Sequence, residues 1–223
     1  MSNIVNDVVE DYIRHTLKDA DGLLKELEVF AEENSVPIVH KEVSDLLKVL
    51  LKMQKPQRIL EVGCAIGYSS ILFATTCEDN VDITTCERNP VMIERAKENI
   101  KRAGFENNIR ILEGDAVEQL KNVEGEFDMI FLDAAKGQYK LFYDLVIDKL
   151  KVGGVLISDN ILYKGMIASD DLVVRRKKTI VKRMRNYLDY ICNCDYLTTS
   201  LLPMGDGVAI SYKDSKRGEN KDA

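Results

Sequence analysis

Ile59-Leu60-Glu61-Val62-Gly63-Cys64-Ala65-Ile66-Gly67-Tyr68-Ser69 joins an apolar run to a glycine turn and the start of a helical pattern. A strand, a tight turn and a helix in this order are typical of the first unit of a parallel α/β sheet. Glycine lets the backbone turn sharply and approach a ligand. The two glycines are separated by three residues, unlike the G-x-G-x-x-G spacing of dinucleotide-binding proteins. The loop alone is weak support for a ligand site, because such turns often need glycine for geometry.

Short apolar runs alternate with helical stretches from Arg58 onward. The runs are Arg58–Val62, Asp82–Cys86, Ile109–Leu112, Asp128–Leu132 and Val155–Ser158. This alternation predicts β-α-β units and a parallel sheet with helices on both faces. Two further runs, Tyr196–Leu202 and Val208–Tyr212, are joined by a turn too short for a helical crossover, so they should pair antiparallel. The predicted fold class is α/β, with a doubly wound, mostly parallel, Rossmann-like sheet.

The composition is that of a globular domain: 223 residues, 45% hydrophobic and 30% charged. We predict helices over residues 1–52, a core over residues 53–213 and a flexible tail over residues 214–223, within one domain overall. No apolar run reaches the roughly 20 residues that span a bilayer, and the acidic N-terminus lacks a signal-peptide pattern. We therefore expect no membrane partner. Five cysteines at unpatterned spacings indicate free thiols in a cytoplasmic protein.

Oxygen-bearing side chains follow two of the apolar runs where each run ends. Asp133 follows the run that closes at Leu132, and Asp159 and Asn160 follow the run that closes at Ser158. Ligands of open parallel sheets bind outside the carboxyl ends of the strands. Two carboxylates and one amide oxygen gathered there suit a partly hydrated Mg²⁺ or a similar ion.

Two more segments lie where a nucleoside-containing cofactor would contact the sheet. Glu87 ends the second run, and an acid there can accept hydrogen bonds from ribose hydroxyls. Gly114-Asp115-Ala116 follows the third run and is placed to flank an adenine. Each of these pieces alone has a purely structural explanation. The two segments and the glycine loop together, in register, favour a nucleoside-containing ligand.

The segments LEVGCAIGYS, GDA, FLDAAK, SDN and GDGVAIS, together with Glu87, resemble the class I S-adenosylmethionine-dependent methyltransferases. Within them the chain is similar to the metal-dependent O-methyltransferases that include the catechol and caffeoyl-CoA enzymes. The nearest resemblance is to the bacterial tRNA 5-hydroxyuridine methyltransferases, through FLDAAKGQY, DNILYKG, RRKK and GDGVAIS. The resemblance implies a seven-stranded sheet with an antiparallel last strand, N-terminal helices that cap the active site, and a homodimer.

The same resemblance implies which residues contact the methyl donor, S-adenosylmethionine. Ser69 would meet its methionine carboxylate, Glu87 its ribose, and Val39 would close over it. The complete set expected at the donor is Val39, Glu61, Gly63, Gly67, Tyr68, Ser69, Glu87, Asp115, Ala116 and Asp133.

Methyl transfer from a sulfonium is an in-line displacement that needs an oxyanion within reach of the methyl carbon. A cation bound by Asp133, Asp159 and Asn160 would favour ionisation of a substrate hydroxyl and fix its position. We expect Asp133 to be catalytic through the cation, and Lys136 to be a general base or an electrostatic partner of the oxyanion. The alternative for Lys136 is a solvated lysine at a helix start. A catechol and 5-hydroxyuracil both offer two adjacent oxygens that could chelate the cation.

A basic segment bears on the choice of substrate. Seven basic residues and no acid lie between Arg175 and Arg185, although the whole chain has a net charge of −6. The candidates for RNA contact are Arg175, Arg176, Lys177, Lys178, Lys182 and Arg185. Such a stripe suits phosphate contacts, and a base in a single-stranded loop can splay into a pocket. With the resemblance, this favours 5-hydroxyuridine in the anticodon stem-loop of tRNA as the substrate.

Three alternatives stay open at this point. The basic segment could be a solvated helix face, with a small catechol or caffeoyl-CoA substrate in the site. A nicotinamide-dependent oxidoreductase would leave Asp159 and Asn160 unexplained. A non-catalytic RNA-binding module would not need Asp133 in addition to those two residues.

Overall fold

Strands and helices alternate along most of the chain in the computed structural model, which describes residues 4–78 and 80–219. The helices are α1 (Asp7–Thr16), α2 (Gly22–Asn34), α3 (Lys41–Gln54), α4 (Tyr68–Thr76), α5 (Pro90–Ala103), α6 (Ala116–Asn122), α7 (Tyr139–Val146) and α8 (Lys178–Cys192). The strands are β1 (Arg58–Val62), β2 (Asp82–Glu87), β3 (Ile109–Glu113), β4 (Phe127–Leu132), β5 (Leu150–Ser158), β6 (Leu197–Leu202) and β7 (Val208–Lys213). Short 3₁₀ turns cover residues 136–138, 147–149, 170–172 and 175–177.

The sheet has seven strands in the order β3-β2-β1-β4-β5-β7-β6. β1 to β5 pair in parallel, β7 runs antiparallel to β5, and β6 runs antiparallel to β7. The predicted fold class is therefore confirmed. The chain order reverses between β1 and β4, so a crevice opens at the carboxyl ends of these two strands, which is where open α/β sheets bind their ligands.

Hydrophobic side chains fill both faces of the sheet, as a doubly wound fold requires. One core packs α2, α3, α4 and α5 against the sheet and includes Leu47, Phe73 and Ile100. The other packs α6, α7 and α8 and includes Leu120, Tyr143 and Met184. The N-terminal helices α2 and α3 therefore pack in the same hydrophobic core as α4, α5 and one face of the sheet.

Local sequence signals explain where α5 begins and ends. The Asn89 side chain accepts a hydrogen bond from the Val91 N–H, Pro90 begins the helix, and Gly104 ends it in a left-handed conformation. These are the residues that favour helix starts and stops for physical reasons: a side-chain acceptor, a fixed φ and a freely positive φ.

Two local predictions were wrong in detail. β5 begins at Leu150 and not at Val155, because Gly153-Gly154 lies inside the strand. A Cβ on Gly154 would lie 2.9 Å from the Asp128 carbonyl oxygen, so glycine permits close pairing there instead of ending the strand. On α8, the helical spacing of Ile180, Met184, Tyr187, Leu188 and Ile191 predicts one buried stripe, and the structure buries the last four of these residues together with Val181, while Ile180 is only partly buried.

Helix α1 is attached to α3 by charged groups, and none of its own side chains is buried. The guanidinium of Arg14 donates to both carboxylate oxygens of Glu42 at 2.8 Å and also contacts Glu10 and His40. The ammonium of Lys41 donates to the carbonyl oxygen of Arg14 at 2.8 Å.

Within the described residues, no helix is long and apolar enough to cross a membrane. The last four residues of the predicted tail, 220–223, lie outside the described residues.

Candidate active site

A cavity of about 900 Å³ opens at the carboxyl ends of the strands, beside the reversal of strand order. Its wall combines the segment between α2 and α3, the glycine loop, the ends of β2 and β3, and the segment after β4. The residues of the predicted donor and metal sets that line it are Val39, Gly63, Tyr68, Ser69, Glu87, Asp115, Ala116, Asp133 and Asn160.

The glycine loop packs directly against the end of β4. Gly63 has φ +107°, and a Cβ built on it would lie 2.1 Å from the carbonyl oxygen of Asp133. The N–H groups of Gly63 and Cys64 both donate to the Cys86 carbonyl, at 3.1 and 3.2 Å. Only glycine fits this close approach, so Gly63 brings the loop and Asp133 together on the cavity wall.

Glu87 organises the loop between β1 and α4. One carboxylate oxygen accepts from the Ala65 N–H at 2.9 Å, and the other accepts from the N–H groups of Arg88 and Asn89. Glu87 lines the cavity, and its carboxylate has about one further acceptor site, to which a ribose hydroxyl could donate. Asp115 caps α6 by accepting from the Val117 N–H at 2.9 Å.

Tyr68, the first residue of α4, connects the glycine loop to helix α2 at the cavity wall. Its hydroxyl donates to a carboxylate oxygen of Glu28 on α2 at 2.8 Å. Val39 is buried and also lines the cavity. The cavity wall also includes residues that were not predicted from the sequence, among them Glu28, Glu32, Arg88, Gln138 and Phe142. Their positions depend on how α2, α5 and α7 pack, for which a single sequence carries no local signal.

Glu61 and Gly67 do not line the cavity. Glu61 is fully buried beneath the start of α4, where one carboxylate oxygen accepts from the hydroxyls of Ser70 and Thr85. Its other oxygen is buried without a hydrogen-bond partner in the described residues, and burial raises the pKa of this carboxyl. Gly67 supplies a left-handed turn at the start of α4. Neither Glu61 nor Gly67 therefore borders the cavity, so any effect of these residues on a ligand would pass through the glycine loop.

Asp133 and Asn160 meet at the ends of β4 and β5, as the sheet geometry predicts. The carboxamide nitrogen of Asn160 donates to a carboxylate oxygen of Asp133 at 2.9 Å. Asp159 is buried, and its carboxylate accepts from the Asn160 N–H with one oxygen, while its other oxygen has no hydrogen-bond partner in the described part of the chain. A carboxylate oxygen buried without a donor is costly unless a cation or a proton satisfies it.

The two carboxyl groups repel each other. Burial, followed by the charge of Asp133, raises the pKa of Asp159 to about 8. Burial also raises the pKa of Asp133, and the positive charge of Lys136 opposes that rise. A divalent cation would remove this repulsion, and rotation of the Asn160 amide would present its oxygen, so the donor set fits a hard cation.

A different acidic cluster near the cavity does not fit a cation. Glu10, His40 and Glu42 offer three ligand atoms within 4.8 Å of one another. The guanidinium of Arg14 already contacts all three side chains and forms ion pairs with both carboxylates. We interpret this cluster as the ion-pair connection between α1 and α3.

Lys136 lies at the cavity wall, at the start of the 3₁₀ turn after β4. Its ammonium is 5.7 Å from the ring centroid of Tyr163, and the ammonium of Lys177 is 5.5 Å from the same centroid. An aromatic ring with two neighbouring cations is thus positioned near the metal-binding candidates. The sequence analysis predicted neither the position of Tyr163 near Lys136 nor its contact with Lys177.

The predicted RNA-binding residues divide into two groups. Arg175, Arg176, Lys178 and Lys182 are exposed, and Lys177 is partly buried beside Tyr163. Arg185 is different: its guanidinium donates to the carbonyl oxygens of Ile167 and Met166 and to the carboxylate of Asp170 at 2.6 Å. The donors of Arg185 thus hold the segment between β5 and α8, and its role in RNA binding stays a prediction.

Comparison with known proteins gives the family. The sequence profile of the O-methyltransferase family matches residues 15–214. A catechol O-methyltransferase of Niastella koreensis is 29% identical over 177 residues, which cover 77% of this chain and 80% of that protein. A crystal structure from Staphylococcus aureus, provisionally described as a caffeoyl-CoA O-methyltransferase, is 41% identical, covers 93% of this chain and 98% of its own, and has a TM-score of 0.83.

A methyltransferase of Podospora anserina with bound S-adenosylhomocysteine is 25% identical and has a TM-score of 0.85, with 94% of this chain and 95% of that chain covered. The chain therefore belongs to the O-methyltransferase family of the caffeoyl-CoA and catechol type, and it is an S-adenosylmethionine-dependent methyltransferase. The predicted family and methyl donor are confirmed. The nicotinamide-dependent alternative was wrong.

Proposed function

We propose that this protein transfers a methyl group from S-adenosylmethionine to one of two adjacent substrate oxygens held by a divalent cation such as Mg²⁺. The observation that carries the proposal is the hydrogen bond of 2.9 Å between Asn160 and Asp133 on the cavity wall. The adjacent Asp159 is buried, and its second carboxylate oxygen has no hydrogen-bond partner among the described residues. Asp133, Asp159 and Asn160 would hold the cation. When bound, the cation would stabilise the substrate oxyanion and fix its direction of attack.

The remaining residues have roles in donor binding and proton transfer. Glu87 would accept from the ribose, Asp115 and Ala116 would flank the adenine, and Ser69 would meet the methionine carboxylate. The substrate oxygen forms the new bond to the methyl carbon as the carbon–sulfur bond breaks, and the sulfonium leaves as a neutral thioether. Lys136 borders the same cavity, where its neutral amine would take the hydroxyl proton or its ammonium would stabilise the oxyanion.

A small catechol-type substrate is the first candidate. The relatives that share the fold over most of their length include proteins described as catechol and caffeoyl-CoA O-methyltransferases. A catechol ring offers two adjacent oxygens to the cation, and the ring of Tyr163 near Lys136 could stack on it.

The second candidate is 5-hydroxyuridine in the anticodon loop of tRNA. The observation that favours it is the exposed basic segment of Arg175, Arg176, Lys178 and Lys182, which continues from Lys177 beside Tyr163. Phosphate contacts along this segment would bring a splayed base toward the aromatic ring. The 5-hydroxyl and 4-carbonyl of that base would supply the same pair of oxygens as a catechol.

One assay distinguishes the candidates. The purified protein is incubated with labelled S-adenosylmethionine and Mg²⁺, and with catechol, caffeoyl-CoA or tRNA from cells that lack the protein. Mass spectrometry then identifies the methylated product. Conversion of 5-hydroxyuridine to 5-methoxyuridine supports the tRNA substrate, and a methylated catechol supports the first candidate. Methyl transfer that continues unchanged with a chelator in place of Mg²⁺ would contradict the proposed cation.

A further inference from the structure

A buried tyrosine lies directly behind the strand ends that carry the candidate cation ligands. The hydroxyl of Tyr139 donates toward the carbonyl oxygen of Leu132 at 3.1 Å and that of Asp159 at 2.8 Å. Leu132 closes β4 immediately before Asp133, and Asp159 follows the last residue of β5. One phenol therefore connects the backbones at the tips of two neighbouring strands.

The hydrogen-bond ladder between β4 and β5 ends at this phenol. Its last backbone bond runs from the Asp159 N–H to the Leu132 carbonyl at 3.0 Å. Beyond that point the two strands turn into separate loops, and Tyr139 supplies the donor for the Asp159 carbonyl that a continuing ladder would supply. A buried carbonyl needs such a donor. The hydroxyl thus holds the strand tips at a set separation where the ladder no longer does.

A second tyrosine holds Tyr139 in place. The rings of Tyr139 and Tyr187 meet edge to face with centroids 5.6 Å apart, and both are buried. The hydroxyl of Tyr187 is 2.6 Å from the hydroxyl of Ser158, the last residue of β5. α7 and α8 therefore each place one phenol against the same strand tips.

We propose that Tyr139 is a positioning residue that sets the separation of Asp133 from Asp159 and Asn160, and thereby the affinity of the site for a divalent cation. The inference rests on the cation site of the proposed function. Residues that orient metal ligands from behind typically change metal affinity by about 10- to 100-fold when they are substituted. Tyr139 makes no contribution to the cavity wall, so its effect passes through the strand tips.

The hydroxyl is available as a donor over the working range of pH. Burial, followed by the charges of Asp133 and Asp159, raises the pKa of Tyr139 well above its usual value. The phenol therefore keeps its proton. A phenylalanine at this position keeps the ring contact with Tyr187 and removes only the hydrogen bonds to the strand tips.

The test compares Tyr139→Phe with Tyr143→Phe. Tyr143 lies one turn further along α7, is equally buried, and its hydroxyl contacts the Tyr196 hydroxyl at 2.6 Å, away from β4. Mn²⁺ affinity is measured by electron paramagnetic resonance in the presence of S-adenosylhomocysteine. The affinity for S-adenosylhomocysteine and the thermal midpoint are measured on the same samples.

The expected result is roughly 10-fold or greater weakening of Mn²⁺ binding in Tyr139→Phe, with unchanged affinity for S-adenosylhomocysteine. Tyr143→Phe should lose thermal stability but bind Mn²⁺ as the unsubstituted protein does. Equal Mn²⁺ affinity in Tyr139→Phe and the unsubstituted protein would overturn the inference alone. Equal weakening in both variants would also overturn it, since general loosening would then explain the effect. An unsubstituted protein that binds no Mn²⁺ would overturn the cation site and this inference together.

Discussion

A Cβ on Gly63 would lie 2.1 Å from the carbonyl oxygen of Asp133, so the glycine loop and the end of β4 touch through backbone atoms alone. This close approach places the glycine loop and the first candidate cation ligand on one wall of the cavity. It also puts the two halves of the proposed site, one for the donor and one for the cation, in direct backbone contact.

Gly63→Ala should therefore damage donor binding and stability together. The methyl group has no space, and the φ of +107° is unfavourable for alanine. We expect a loss of roughly 2 kcal/mol or more in the free energy of unfolding and a weakened affinity for S-adenosylmethionine by calorimetry. The control is Gly104→Ala, which also has a positive φ, of +79°, but has no heavy atom within 4 Å of the added Cβ. It should cost only about 1 kcal/mol and leave the donor affinity intact; equal effects of the two variants would contradict the prediction.

Without divalent cations, the stability of the protein should fall as pH rises from about 4 to about 8. Burial, followed by the charge of Asp133, raises the pKa of Asp159 to about 8 in the folded protein, whereas an unfolded aspartate titrates near 4. Between these values the folded state holds a proton that the unfolded state has released, so its stability decreases with pH, by at most about 1.4 kcal/mol per pH unit.

Urea unfolding with a chelator across this pH range measures the effect. Asp159→Asn cannot ionise at this position and should flatten the dependence. Mg²⁺ should stabilise the unsubstituted protein most at the alkaline end, where it displaces no proton. A pH profile that Asp159→Asn leaves unaltered would show that another group is responsible.

Lys136→Ala should reduce the methyl-transfer rate by roughly 10²- to 10⁴-fold, the range for loss of a general acid–base group. The donor affinity should remain nearly unchanged, because the predicted role concerns the substrate oxygen. Single-turnover kinetics and calorimetry with S-adenosylmethionine separate the two quantities. Lys140→Ala is a matched control, since Lys140 is one turn further on and pairs with Asp144 at 2.6 Å. An unaltered rate in Lys136→Ala would rule out the role.

Reversal of charge in the basic segment separates the substrate candidates. Lys178→Glu with Lys182→Glu should weaken tRNA binding and reduce its salt dependence, by about one unit of slope for each phosphate that the variant no longer neutralises. Methylation of a catechol by the same variant should be unaffected. Lys52→Glu with Lys101→Glu changes the net charge equally at the last turns of α3 and α5, which pack in a different core from α8. If both double variants bind tRNA alike, the segment is not its binding surface.

Local sequence patterns were sufficient to predict the parallel strands and the positions of Asp133, Asp159 and Asn160 at strand ends. The informative signals are a short apolar run for the strand, the side chain that follows the run for the site, and a pair such as Asn89-Pro90 for the start of a helix. Because the carboxyl ends of parallel strands share one edge, the strand pattern predicts Asn160 and Asp133 at the same edge, and the pairing of β4 with β5 brings them into contact.

The neighbours of individual polar residues, by contrast, depend on the packing of the whole fold. Glu61 lies on the strand that leads into Gly63 but is buried beneath α4, and Arg185 belongs to the basic segment yet holds the backbone of Met166 and Ile167. Tyr139 is one apolar residue among many on α7 until the fold brings its hydroxyl to the ends of β4 and β5. The physical reason is that periodicity specifies which face of an element is buried, whereas the partner of each buried polar group depends on how separate elements pack.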